Sequence, residues 1–167
     1  KMITSAESQN TGFALALDPW GDLYVGGDFF GAPDFDPGSG VFNMTADGSD
    51  AYILKLTSTG NFIWARHLGD GLGNLKTDAA GNVYLSGRFS STWDFDPGDG
   101  TYLLTSYGAD DSFIFKGDPQ GNLLWVTQTG GTGQDQNNAL DVNAGGYVYA
   151  AGNFSETVDF DPDGNGI

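Results

Sequence analysis

Apolar residues occur along the chain in short runs, and turn-forming residues separate the runs. Residues 13–17 form one such run, the Asp-Pro-Trp-Gly-Asp segment at 18–22 follows, and residues 23–25 are apolar again. Because Pro presets φ for a turn and Gly accepts a positive φ, this pattern predicts a β-hairpin. Residues 51–56 and 62–65 predict a second hairpin around a Ser-Thr-Gly-Asn turn. No helical period extends over ten residues, so we expect an all-β fold.

The same order of runs and turns returns later in the chain. The segment Asp-Phe-Asp-Pro-Gly occurs at 34–38 and 94–98, and it returns at 159–163 with Asp in the last position, at spacings of 60 and 65 residues. Further strands are expected at residues 75–77, 83–86, 112–116, 123–126, 139–142 and 147–150. Four short strands in each period are typical of a β-propeller blade, whereas solenoid repeats are usually shorter.

The repeat therefore predicts a β-propeller fragment made of four-stranded antiparallel blades of about 60 residues. Two blades are expected to be complete, and parts of two others flank them. We expect residues 1–11 to end a preceding blade, residues 12–71 and 72–136 to form two blades, and residues 137–167 to begin a third. The chain has no initiator Met and stops inside a repeat, so we expect it to be a piece of a longer protein.

The charge of the chain limits its partners. It has 22 Asp and Glu residues against 6 Lys and Arg, a formal net charge of −16, which opposes binding to nucleic acid or to an anionic membrane. Cysteine is absent from the sequence, and no apolar run is long enough for membrane insertion. Cations, neutral ligands and other proteins remain as partners.

The repeated acidic segments carry the strongest candidate chemistry. The candidate metal ligands are Asp34, Asp36, Asp94, Asp96, Asp159, Asp161 and Asp163. Within each segment the acids are two residues apart, so in an extended chain their carboxylates point the same way. Several carboxylate oxygens with flexible glycines nearby suit Ca²⁺. The alternative is a built-in turn, in which Asp caps backbone N–H groups and Phe is a buried anchor.

The aromatic residues fall into two classes. Those that recur at equivalent strand positions are expected to pack between blades; they are Tyr24, Tyr84, Tyr149, Trp64 and Trp125. Trp20 and Trp93 have no aromatic counterpart in the other repeats. They are therefore candidates for ligand contact, with simple surface packing as the alternative.

The sequence offers little for catalysis. His67 is the only histidine, and Gln128 stands at its equivalent position in the next repeat. The carboxylate pairs recur in every unit, whereas catalytic groups are normally single within a repeat array. Lys55 and Lys116 also recur, and we expect them to form ion contacts near Asp50 and Asp111. No catalytic residues are predicted.

The motif order D-x-x-G-[ND]-x-Y-x-x-G, F-D-P-G, D-x-[FY]-I-x-K and G-N-[FL]-x-W resembles the bacterial β-propeller repeats called SBBP repeats. The third repeat departs from it at Tyr147 and Asp163. The resemblance implies a large secreted or cell-surface protein. We expect a non-enzymatic extracellular module that serves as a structural or adhesion-type binding scaffold, with Ca²⁺ as a candidate cofactor. The rest of a longer chain or further copies would complete the propeller, and carbohydrate or another surface protein is the expected ligand. The alternative is a polysaccharide-acting enzyme or a lectin-like propeller.

Overall fold

The computed structural model describes residues 10–160, apart from the side chain of Asp159, and these residues contain β-strands but no helix. In chain order the strands are β1 (Thr11–Leu17), β2 (Leu23–Phe29), β3 (Asp50–Leu56), β4 (Phe62–His67), β5 (Gly71–Thr77), β6 (Val83–Phe89), β7 (Thr92–Asp94), β8 (Leu103–Thr105), β9 (Asp111–Gly117), β10 (Leu123–Gly131), β11 (Gln136–Val142), β12 (Val148–Asn153) and β13 (Val158–Asp159). The expectation of an all-β fold is confirmed.

The strands form antiparallel sheets that follow the repeat. Strands β1, β2, β3 and β4 form one sheet, here named blade 1. Strands β5, β6, β9 and β10 form the next in the same order, named blade 2, and β11 pairs with β12 in a third hairpin. The chain is thus a propeller fragment with four-stranded antiparallel blades. The exact boundaries between repeats stay predictions, and residues 1–9 of the expected preceding blade lie outside the described residues.

Equivalent residues of the two blades pair in the same way across their sheets. A hydrophobic row consists of Leu15, Val25, Leu54 and Ala65 in blade 1 and of Leu75, Leu85, Phe115 and Val126 in blade 2. A Tyr-Lys-Trp row consists of Tyr24, Lys55 and Trp64 in blade 1 and of Tyr84, Lys116 and Trp125 in blade 2. Because adjacent side chains of a strand point to opposite faces, the two rows lie on opposite faces of each blade.

The two blades pack face to face through these rows. One buried cluster contains Tyr24 and Trp64 of blade 1 together with Leu75, Leu85 and Phe115 of blade 2. Burying a large apolar side chain stabilises a fold by about 1.5–3 kcal/mol, so this cluster is a major source of stability. The Tyr-Lys-Trp face of one blade therefore meets the hydrophobic face of the next.

The connections divide the blades into two ends. The turn end carries the tight turns at 18–22, 57–61, 78–82, 118–122 and 143–147. The loop end carries the long loops at 30–49 and 90–110 and the crossovers at 68–70 and 132–135. This separation follows from the antiparallel order, since successive connections alternate between the two ends of a sheet.

Two short strand pairings at the loop end were not expected from the sequence. Strand β7 pairs with β8 inside the long loop of blade 2. Strand β13 pairs with the end of β10, so the sheet of blade 2 has five strands in the described chain, in the order β13-β10-β9-β6-β5. The third repeat thereby satisfies backbone N–H and C=O groups at the end of β10, which would otherwise form an exposed edge.

Candidate functional site

The first Asp-Phe-Asp-Pro-Gly loop is held by its own carboxylates. Oδ1 of Asp34 accepts hydrogen bonds from the backbone N–H groups of Asp36 (3.0 Å) and Phe42 (2.9 Å). Oδ1 of Asp36 accepts the N–H of Gly38 at 2.7 Å. Phe35 is fully buried and anchors the loop to blade 1.

The second loop repeats this arrangement in blade 2. Oδ1 of Asp94 accepts the N–H groups of Asp96 (3.0 Å) and Tyr102 (2.8 Å), and Oδ1 of Asp96 accepts the N–H of Gly98 at 2.9 Å. Phe95 is again fully buried. The interpretation of the pentapeptide as a built-in turn is therefore confirmed in both loops, and the same four carboxylates remain candidate metal ligands.

Calcium binding stays a prediction. No group of three or more His, Asp or Glu side chains suited to a metal ion occurs in the described part of the chain. Ca²⁺ takes six to eight oxygen ligands, so the two carboxylates of one loop would need carbonyl or water oxygens beside them. In the third loop, Asp161 and Asp163 lie outside the described residues, and only the backbone of Asp159 is described.

The two unmatched tryptophans lie where blade 1 meets blade 2. Trp20 is 65% exposed, and its ring lies against Gly81 on a turn of blade 2. Trp93 is half-buried on β7, and its ring is 5.2 Å from the ring of His67 in blade 1, centroid to centroid. His67 in turn places Nε2 2.9 Å from a carboxylate oxygen of Asp50. Both tryptophans thus contact the neighbouring blade, and the exposed side of Trp20 stays a candidate for ligand contact.

The Tyr-Lys-Trp row of blade 1 binds the turns of blade 2 through hydrogen bonds. Trp64 Nε1 donates to the backbone carbonyl of Pro119 at 3.2 Å, and Lys55 Nζ donates to the same carbonyl at 3.4 Å. The hydroxyl of Tyr24 donates to the carbonyl of Gly81 at 3.2 Å. These bonds fix the position of one blade on the next.

Lys55 is also the centre of a buried ion pair. Its Nζ lies 3.1 Å from Asp18 Oδ2 and 3.9 Å from Asp22 Oδ2. Burial lowers the pKa of Lys55, but hydrogen bonds with Tyr24 and Asp18 raise it more, so the pKa stands above its ordinary value. The expected contact of Lys55 with Asp50 is wrong, because the two residues lie at opposite ends of β3.

The prediction that the recurrent aromatic residues pack between blades holds for some of them only. Tyr24, Tyr84 and Trp64 are buried. Trp125 is 38% exposed and Tyr149 is also exposed, so for these two the prediction is wrong. Burial at these positions depends on a following blade surface, and the described residues do not provide one there.

A set of carboxylates at the turn end was not predicted as functional or structural. Asp78 Oδ1 accepts the N–H groups of Ala80 and Asn82, each at 2.9 Å. Burial raises the pKa of Asp78, but hydrogen bonds from Asn82, Tyr84 and Ala80 lower it below its ordinary value. The side-chain oxygens of Asp18, Asp118 and Asn143 accept the equivalent bonds in the other turns. The Asp of the repeated D-x-x-G motif is the sequence signal for this cap.

A polar cavity lies where the inner strands β1, β5 and β11 meet. It has a volume of about 500 Å³, and Phe13, Asp28, Asn74, Arg88 and Gln136 are among its lining residues. Burial raises the pKa of the Asp28 carboxyl, although the N–H of Leu72 donates to it at 3.1 Å. The cavity thus combines amide, carboxylate and guanidinium groups with one aromatic ring.

Comparison with known proteins places the chain among repeat proteins. No family model matches the sequence. The chain is 28% identical over 156 residues to the uncharacterized WD repeat-containing protein L264 of Acanthamoeba polyphaga mimivirus, which covers 85% of this chain and 11% of that protein. It is 29% identical over 108 residues to the regulatory protein FlaEY of Caulobacter vibrioides, covering 62% of this chain and 11% of that protein. The chain thus spans about a tenth of the length of these relatives.

None of the helices in the described chain is long and apolar enough to cross a membrane, since that part contains strands only. The first relative supports assignment of the chain to the repeat β-propellers. The narrower assignment to SBBP repeats stays a prediction.

Proposed function

We propose that this chain is part of a β-propeller that serves as a non-enzymatic scaffold for binding other proteins outside the cell or on its surface. Similarity to a WD repeat-containing protein supports the propeller scaffold. The resemblance to SBBP repeats supports the secreted or cell-surface setting. A propeller presents rigid loops at the ends of its blades, and such loops are the usual place for binding residues.

The distribution of charge between the two ends carries the proposal. The structure describes five Lys and Arg residues, and four of them contact groups at or near the turn end: Lys55, Lys76, Lys116 and Arg66. Arg88 is the one described at the loop end, where it pairs with Asp110 at 3.3 Å. The loop end also carries the acidic pentapeptides of both blades. It is therefore the strongly negative end.

A negative surface of this kind favours a positively charged partner. Complementary charges steer association and suppress like-charged partners, and salt weakens the effect. We therefore propose that the scaffold binds a basic protein segment at its loop end.

The test uses matched charge-removing variants. Asp47 and Asp99 are exposed on the two long loops, and Asp141 is exposed near the turn end. The chain is cross-linked to secreted and surface proteins of its source cells, and the linked peptides are mapped by mass spectrometry. We expect links at 30–49 and 90–110 that weaken with salt and in Asp47→Asn/Asp99→Asn, but not in Asp141→Asn. Links confined to the turn end would contradict the proposal.

Calcium stabilisation of the same loops is part of the proposal. The test compares thermal melts in Ca²⁺ and Mg²⁺ at equal ionic strength, with Asp96→Asn as the variant. The Asn side chain still accepts the N–H of Gly98, so the substitution removes charge while keeping the turn. A Ca²⁺-specific rise in Tm that Asp96→Asn reduces supports a metal site, whereas equal rises with both ions show general screening only.

Sugar binding is the second candidate function, and the polar cavity favours it. Planar amides, a carboxylate and the ring of Phe13 are groups that recognise hydroxyl-rich ligands. A glycan array with the wild type and with Asn74→Ala tests this candidate. Binding of one glycan class that Asn74→Ala abolishes supports it, and release of reducing ends from that glycan would instead indicate a polysaccharide-acting enzyme.

A further inference from the structure

The third hairpin has a strand edge that no strand within residues 10–160 pairs with. Strand β12 pairs with β11 on one side. At the equivalent positions, β2 pairs on its other side with β3, and β6 pairs with β9. Unpaired N–H and C=O groups on such an edge are a template for strand addition.

The hairpin packs on the face of blade 2 that carries the Tyr-Lys-Trp row. Strand β11 contacts β5, β6 and β9, so it covers the inner part of this face. Trp125 lies on the outermost strand of the blade, β10, and is 38% exposed. The free edge of β12 and the Trp125 ring therefore border the same uncovered part of blade 2.

The exposed row has the geometry of the row that already binds a neighbour. The rings of Tyr24 and Trp64 are 5.8 Å apart at an interplanar angle of 72°, and those of Tyr84 and Trp125 are 6.2 Å apart at 70°. Lys116 Nζ lies 4.9 Å from the centre of the Tyr84 ring, compared with 4.7 Å for Lys55 and Tyr24. The exposed row is thus arranged for the same kind of contact.

The contact made by Trp64 shows what such a row binds. Trp64 lies on the turn between β9 and β10, where its Nε1 donates to the carbonyl of Pro119. Its ring lies against Gly121, which has a φ of +82° and leaves 3.1 Å between the indole and an added Cβ. The row therefore binds a hairpin turn with a left-handed glycine and a carbonyl group two residues before it.

We propose that the free edge of β12 and the Trp125 ring form one docking surface for a β-hairpin of the D-x-[FY]-I-x-K and G-N-[FL]-x-W type. The first strand of this hairpin adds to β12, and its turn binds Trp125. The pairing of β6 with β9 gives the register, with Val148 of β12 opposite the residue equivalent to Gly117 and Asn153 opposite the one equivalent to Ser112.

A complete blade of a second copy fits this surface poorly. It would bring its own first hairpin, and β11 and β12 already occupy that position on blade 2. A single hairpin supplies the two features that the surface lacks within the described residues, a strand for β12 and a turn for Trp125. The proposal concerns a surface other than the acidic loop end.

The test uses a synthetic peptide with the sequence of residues 111–128, which contains the turn that Trp64 binds. It is added to the full ¹⁵N-labelled chain, and NMR follows amide exchange and the indole N–H signals. We expect slower exchange in β12, mainly at alternate amides, and a shift of the Trp125 indole signal. The control peptide carries Gly121→Val, which places a β-branched side chain at a positive φ and against the indole ring. We expect it to bind at least about tenfold more weakly.

Variants of the chain complete the test. We expect Trp125→Ala to weaken peptide binding at least about tenfold and Trp125→Phe to weaken it less. Leu124→Ala is the matched control, because Leu124 is an exposed neighbour on the same strand, and it should change affinity by less than about twofold. Circular dichroism of each variant shows that it is folded. Equal binding of the two peptides, protection of strands other than β12, or no binding at millimolar peptide would overturn the proposal. So would a dimer that Trp125→Ala dissociates and the peptide does not compete with.

Discussion

The interface between the two blades and the outer face of blade 2 carry the same Tyr-Lys-Trp row in different surroundings. Trp64 is 7% exposed and Trp125 is 38% exposed. The Lys55 side chain is 6% exposed and that of Lys116 is 20% exposed. The ring geometry within each row is nearly the same. Each blade therefore builds its own row, and the turn of the following blade determines how deeply that row is buried.

The opposite faces show the same contrast. Leu15 in the hydrophobic row of blade 1 is 68% exposed, whereas its counterpart Leu75 in blade 2 is 4% exposed against blade 1. The four-stranded sheets have matching pairing, so neither strand order nor register explains the difference. Stability in this fold is therefore concentrated where two blades meet.

The largest expected effect comes from the buried member of the tryptophan pair. Trp64→Ala should lower the free energy of unfolding by about 3–5 kcal/mol, because it removes a buried aromatic ring. Trp125→Ala should cost under about 2 kcal/mol, since part of that ring is already in contact with water. Urea denaturation of both variants measures the difference. Similar losses would show that the two rows are buried alike in solution.

The lysines of the row should differ in the same direction. In Lys55→Met, the buried Asp18 loses its charge partner, so we expect a loss of about 3 kcal/mol. In Lys116→Met, Asp78 keeps hydrogen bonds from Asn82 and Tyr84, and the loss should be under about 1 kcal/mol. Chemical denaturation at neutral pH checks both values. A neutral Lys55→Met would mean that the ion pair with Asp18 contributes nothing net.

Two glycines separate backbone strain from the contact between blades. Gly60 and Gly121 have φ angles of +84° and +82°, but only Gly121 lies against a tryptophan ring. Gly60→Ala should cost about 1–2 kcal/mol from the left-handed conformation alone. Gly121→Ala should cost about 1 kcal/mol more, because the Trp64 ring must move. Equal losses in thermal melts would remove the contact from the account.

The smallest effects concern two carboxylates whose pKa values move in opposite directions. The Asp78 pKa is lowered below 3.8, so its stabilisation is complete above pH 3.8 and is lost as pH falls through the lowered pKa. The Asp28 pKa is raised above 3.8, so its carboxylate opposes folding above that raised pKa. Asp78→Asn should therefore destabilise the chain at pH 7 and Asp28→Asn should stabilise it. Both differences should disappear in acid, as followed by denaturation at pH 7 and below pH 3.

Most of the fold could be predicted from the sequence, because its signals are local and repeated. The turn at 18–22 and the strand beginning at Leu23 are examples, since Pro, Gly and the apolar alternation act over a few residues. The pairing of β13 with β10 could not be predicted, because it depends on the position of a neighbouring blade. The exposure of Trp125 depends on the same long-range information.

The candidate site was predictable to a smaller extent. The Asp-Phe-Asp-Pro-Gly loops could be recognised as turns, since Asp accepts N–H groups close in sequence and Phe anchors the loop. The partner of Lys55 could not be identified, because Asp18 lies on another strand connection and many acidic residues compete for the same role. The cavity lined by Asp28 and Gln136 combines residues far apart in sequence, so no local motif indicates it.

The most direct test of the docking of blade on blade is a double-mutant cycle between Trp64 and Gly121. Trp64→Leu and Gly121→Ala are measured singly and together by urea denaturation. The structure predicts a coupling energy of about 0.5–1 kcal/mol, because Ala at residue 121 is better tolerated once the indole is gone. The matched cycle of Trp125→Leu with Gly60→Ala should be additive. Additive losses in the first cycle would contradict the account.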